Sequence, residues 1–136
     1  MSINGYDQYL ENQVTTATPG RLVVMSFDAA IRFAKLAADK MREKKLEEQS
    51  ANIRKAQNIL LQLITSLDMN VDPQLVNNLD SLYRFMFDRL TQANIRDDAQ
   101  ALDQVTVLLT EMRQTWVEAE LLVRSGGLTA VGARAA

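Results

Sequence analysis

Proton transfer and metal binding in proteins lean first on histidine and cysteine, and this chain of 136 residues contains neither. That removes the commonest general base, the commonest metal ligand, thiolate zinc sites and cysteine nucleophiles together. Carboxylates, hydroxyls and amines remain. Glu43, Glu47, Glu48, Glu111, Glu118 and Glu120 are the candidates for a carboxylate metal centre of the kind helical bundles carry. Such a centre ordinarily needs two Glu-x-x-His pairs, so its usual form cannot be built here. These glutamates also lie mostly away from the apolar stripes, as a solvated acidic face does. The Gly126-Gly127 pair precedes a polar tail, not a helix, so it is no phosphate loop. No base stands out to activate a hydroxyl, and no lysine is singled out as a nucleophile. In the run KMREKKLEE, from Lys40 to Glu48, the cations Lys40, Arg42, Lys44 and Lys45 alternate with acids that cancel their field. With a net charge of −2 and an isoelectric point near 5.1, the chain is not expected to bind nucleic acid. The expectation is a protein that is not an enzyme, with no cofactor and no metal.

The absence of cysteine fits a reducing cytoplasm. No apolar run approaches the ~20 residues of a membrane span, so direct membrane insertion is not expected. The opening MSINGYDQYLENQ has neither the basic nor the apolar region of a secretory signal. At 47% hydrophobic and 24% charged residues the composition is that of one ordinary globular domain.

Four helices must position whatever this chain presents. Thr18-Pro19 and Asp72-Pro73 each place an N-cap before a proline at the first helical position. The first long helix runs from about Pro19 to Lys44 with two apolar stripes, Leu22, Met25, Ala29, Phe33, Leu36 and Val23, Phe27, Ala30, Ala34, Ala37, Met41. The next runs from about Glu48 to Leu67, the third from Pro73 to about Asn94, and the fourth starts near Asp97 or Asp98 and carries Leu102, Val105, Leu109, Met112 and Trp116. Apolar steps alternating between three and four are the pattern of a helix bundle, and the short connections make neighbours antiparallel. The fold expected is all-α: an antiparallel up-down-up-down four-helix bundle over residues 18–124. Residues 1–17 form an N-terminal cap segment. Residues 125–136 form a flexible tail, too poor in large apolar groups to offset the entropy of ordering.

The apolar surface is wider than one bundle needs, since a core-facing stripe spans little more than ~100°. Val23, Phe27, Ile31, Leu61, Ile64, Tyr83 and Phe87 extend the arcs beyond a single stripe and are the candidate binding residues. The surplus suits a groove for a partner's amphipathic helix, a homodimer contact, or cover by the N-terminal segment. In that segment Ile3, Tyr6, Leu10 and Val14 share a helical face with Tyr9 beside it. Helices under ~12–15 residues are marginal in water, so this face needs a surface. We expect these five residues to anchor a movable cap over the surplus arc, with Tyr6 and Tyr9 foremost.

Several stretches also carry a resemblance. YLENQVTTATPGRLVVMSFDAAI (Tyr9 to Ile31), KAQNILLQL (Lys55 to Leu63), LYRFMFDRLTQANIRDDAQAL (Leu82 to Leu102) and Trp116 occur in the order seen in the flagellin-specific export chaperones of bacteria, the FliS family. The chain resembles that family over about residues 6–123. It departs where the family usually shows L-[YF]-[DN]-G and this chain has Ser26-Phe27-Asp28-Ala29.

The resemblance implies a cytoplasmic export chaperone. Its client would be the disordered C-terminal segment of flagellin, held in a hydrophobic groove so that it neither polymerises early nor loses readiness for flagellar type III export. The loaded chaperone would then meet the flagellar export gate. On our reading of the N-terminal segment, the client helix would displace the cap. A monomer is expected. The alternative is a structural or regulatory bundle that homodimerises through its spare apolar face.

Overall fold

A computed structural model describes residues 5–124, and their order is five helices: α1 (Gly5–Thr16), α2 (Pro19–Arg42), α3 (Leu46–Thr65), α4 (Pro73–Arg96) and α5 (Ala99–Arg124). There is no strand among the described residues. The expected tail 125–136 and Ile3 of the cap lie outside them, as do the side chains of Tyr6 and Val14.

The helix ends follow from local chemistry. Thr18 Oγ1 accepts the Arg21 N–H at 3.2 Å and Asp72 Oδ1 accepts the Leu75 N–H at 3.2 Å, each just before the proline that opens its helix. α2 stops two residues earlier than Lys44 because Lys44 itself turns left-handed, at φ 59°. The Lys45 N–H then closes on the Lys40 carbonyl at 2.9 Å and the Lys44 N–H on Met41 at 3.1 Å, which satisfies the last carbonyls of α2. At the far turn the two aspartates divide the work. Asp97 is left-handed at φ 52° and ends α4, while Asp98 Oδ1 accepts the Ala101 N–H at 3.2 Å and begins α5.

α2 through α5 form a four-helix bundle in which each helix packs on two neighbours, α2 on α3 and α5, and α4 on α3 and α5. Cross-helix pairs run in opposite directions along the chain, so neighbours are antiparallel. Arg42 meets Asp103 at 2.6 Å and Arg113 meets Asp28 between α2 and α5. Gln57 reaches Thr91 at 2.8 Å while Gln49 reaches Asn94 at 3.0 Å between α3 and α4, and Arg89 reaches Gln104 at 2.7 Å between α4 and α5. The exposed ion pairs fix register more than they stabilise.

The core is built from Phe27, Ile53, Leu60, Tyr83, Met86, Leu90, Leu102 and Leu109. α2 turns its alanines inward: Ala30, Ala34, Ala37 and Ala38 are buried. Small side chains let the facing helix backbones approach closely, so this stripe, with Phe27 and Met41, takes the core. The bulkier stripe of Leu22, Met25, Ala29, Phe33 and Leu36 is left half-buried or exposed along the outer α2–α3 side.

Among the described residues one polar side chain is fully inside. Gln49, 1% exposed, donates through Nε2 to Asn94 Oδ1 at 3.0 Å and Asp97 Oδ1 at 2.9 Å. Ser50 Oγ joins the same asparagine oxygen at 3.2 Å. This corner ties the first turn of α3 to the left-handed end of α4.

Candidate functional site

The outward stripe of α2 borders a cavity of about 360 Å³. Its walls are Leu22, Met25, Ser26 and Ala29 from α2, Ile59 and Gln62 from α3, and Leu10 from α1. Spacing explains the wall: Leu22, Met25 or Ser26, and Ala29 recur every three to four residues, and Ile59 and Gln62 are one turn apart on α3. Ser26 brings little polarity, because its hydroxyl donates to the Leu22 carbonyl at 3.0 Å. The surface is therefore mostly apolar with an amide at one edge, which suits a helical side-chain row more than any reaction.

Beyond Ala29 the same surface changes character. Phe33, half-buried, holds the guanidinium of Arg32 at 4.9 Å and the ammonium of Lys55 at 5.5 Å from its ring centroid. Further on, Lys40 pairs with Glu48 at 3.3 Å and Glu43 at 3.7 Å. The Glu48 hydrogen bond, with Glu43 beside it, holds the Lys40 ammonium above its usual range. A hydrogen bond from Lys45 holds the Glu43 carboxyl below its usual range. A second hollow, about 520 Å³, lies against Leu46, Glu47, Ser50, Ala51 and Arg54 of α3. It mixes charges of both signs. Among the described residues no three acidic side chains come close enough together to hold a metal ion.

The residues expected at the groove do not form one exposed surface. Phe27 is 0% and Tyr83 2% exposed, with ring centroids 6.4 Å apart in the core, so neither offers a surface in this conformation. Burial pushes the Tyr83 phenol up to about 12. α2 and α4 are rotated so that these two face the core. Val23 and Ile31 are half-buried against the core. Leu61, 45% exposed, and Ile64 share the side of α3 that carries Gln57 toward α4, where Phe87 lies half-buried. That is the opposite side of α3 from the cavity.

Met25, Ser26, Ala29, Ile59 and Gln62 were not among the expected binding residues. For α2 the signal was present in its first stripe, Leu22 to Leu36, and in the Ser26 and Ala29 departures from the family motif, both of which fall on the cavity wall. Of the expected cap anchors, Leu10 reaches the cavity. Tyr9 is 57% exposed.

The sequence profile described as flagellar protein FliS matches residues 2–122. The chain belongs to the FliS family. Among FliS relatives, the flagellar secretion chaperone FliS of Bacillus subtilis is 36% identical over 116 residues, covering 85% of this chain and 86% of that protein. The flagellar secretion chaperone FliSB of Pseudomonas aeruginosa is 34% identical over 107 residues, 79% and 85% of the two chains. The flagellar secretion chaperone FliS of Escherichia coli is 33% identical over 113 residues, 82% and 83%. The match spans α1 and the bundle through Leu122.

Proposed function

We propose that this FliS-family chain is a cytoplasmic secretion chaperone without enzymatic activity, and that it holds the C-terminal segment of flagellin as a helix against the α2–α3 groove. The observation that carries the reading is the unclosed apolar stripe of α2, Leu22 to Leu36, with a cavity between it and Ile59. A client that is disordered alone loses entropy on folding, roughly 2–5 kcal/mol or more of the gross interaction. Apolar burial at about 25 cal/mol per Å² offsets that loss without any nucleotide. Holding the segment keeps it from polymerising and delivers it to the flagellar export gate. The chaperone meets its client before export, which places both in the cytoplasm.

Leu10 sits where a client side chain would go, so α1 competes with the client and lowers its apparent affinity until displaced. Calorimetric titration of the full chain with a peptide from the C-terminus of flagellin tests this. We expect one-to-one binding with a negative heat-capacity change, loss of binding in Ala29→Arg, and faster hydrogen exchange across residues 5–16 once the peptide is bound. Unaltered binding by Ala29→Arg would move the client elsewhere, and slower exchange in α1 on binding would end the displacement mechanism. A second reading, a homodimer, is favoured by Leu75, Leu82 and Phe85 of α4, all exposed. Light scattering during size exclusion decides it.

A further inference from the structure

The groove is not uniform along its length, and its polar end has a chemistry of its own. Lys55 is one turn from Ile59 on α3, as Phe33 is one turn from Ala29 on α2, so the pair continues the groove past the cavity by about 6 Å. Lys55 is exposed, and among the described residues no carboxylate pairs with it; its ammonium rests on the Phe33 ring instead. Further along this side of α2, four residues beyond Leu36, Lys40 is already neutralised by Glu43 and Glu48. A cation held over a ring at the end of an apolar trough keeps a defined position and retains its charge for a partner.

We propose that Lys55 over Phe33 is the selectivity element of the groove, and that it favours client helices with an Asp or Glu one to two turns beyond their apolar row. This rests on the groove reading above. The carboxylate would displace water from Lys55 while apolar side chains fill the space between Ala29 and Ile59, which sets the register and direction of the bound helix. A rim charge of this kind acts on encounter and discrimination more than on the depth of binding.

The test uses the full chain and two probes: the flagellin C-terminal peptide, and the same peptide with every Asp and Glu replaced by Asn and Gln. Exposed ion pairs predict that Lys55→Met weakens the natural peptide roughly two- to fivefold, and that Lys55→Glu weakens it roughly tenfold by adding repulsion. Lys55→Arg should retain binding. For the wild type, affinity should fall between about 50 and 300 mM salt, and that slope should flatten in Lys55→Met. The amide peptide should bind more weakly and be indifferent to Lys55→Met. Equal melting temperatures across the Lys55 variants establish that the fold is intact. If Ala29→Arg abolishes binding while Lys55→Glu changes neither affinity nor salt slope, the selectivity element is wrong and the groove stands. If Ala29→Arg has no effect, the groove reading falls and this inference falls with it.

Discussion

Phe27 is at the centre of the bundle's interior. The ring is wholly buried, lies 6.4 Å from the Tyr83 ring, and sits between the α2 alanines and the α4 core row. Phe27→Ala removes a benzyl-sized volume from a place where the surrounding helices cannot collapse, because Ala30 and Ala34 offer nothing to move inward. Truncations of this kind lose roughly 3–5 kcal/mol. For a domain of this length that corresponds to about 10–20 °C in melting temperature, and it is a large share of a typical total of about 5–15 kcal/mol. Phe27→Leu, which keeps most of the volume, should lose roughly 1.5 kcal/mol or less and guards against a variant too unstable to study. Urea denaturation followed by circular dichroism gives the stability. Calorimetry with the flagellin peptide, well below the melting transition, gives the affinity of the folded fraction. The expected result is a marked fall in stability with affinity changed less than about threefold, under 1 kcal/mol. A Phe27→Ala protein that melts like the wild type yet no longer binds would refute this assignment.

Three further outcomes follow from particular groups. Tyr83 has its phenol raised to about 12 by burial, against about 10 in the unfolded chain, so stability is constant below pH 10 and declines as pH rises toward 12; Tyr83→Phe should abolish that alkaline loss in a denaturation series. Gln49→Ala removes two hydrogen bonds from a buried corner and should lower stability by roughly 1–3 kcal/mol in urea, with no change refuting the role of that corner in tying α3 to α4. Lys44→Gly relieves an exposed left-handed residue, and its unfolding free energy should rise by about 0.5–1 kcal/mol.

Much of the fold was legible because its punctuation is chemical. Thr18-Pro19 and Asp72-Pro73 state where two helices begin, and the three-four spacing of Leu60, Leu63 or Leu102, Val105, Leu109 states which face turns inward. Rotation of α2 was harder to read, since both of its stripes are apolar. The choice between them depends on which neighbours can come close, and four alanines on one stripe decide it. Phe27, expected at the groove, is buried for that reason and meets Tyr83 of α4 in the core, while Met25 and Ala29 face the cavity with Ile59. Gln49 gave no sign of burial. Its partners are 45 and 48 residues away, and only the docked bundle brings them together. Asp97 and Asp98 were indistinguishable as caps until the left-handed turn at Asp97 set their order.

The closure of α5 on α2 has a consequence for how the protein is made. Its two ion pairs join residues 61 and 85 positions apart, whereas the Arg89–Gln104 contact spans 15. Successive hairpins can form as the chain emerges, but the long closure bears the largest loop entropy and comes last. On the ribosome, at about 5–20 residues per second, α2, α3 and α4 are outside the exit tunnel for seconds before α5 follows. During that interval the α5-facing side of α2, with Val24 and Ile31, remains wet. The newborn protein thus passes through a stage in which this face of α2 is exposed as well as its outer stripe, and docking of α5 ends that stage.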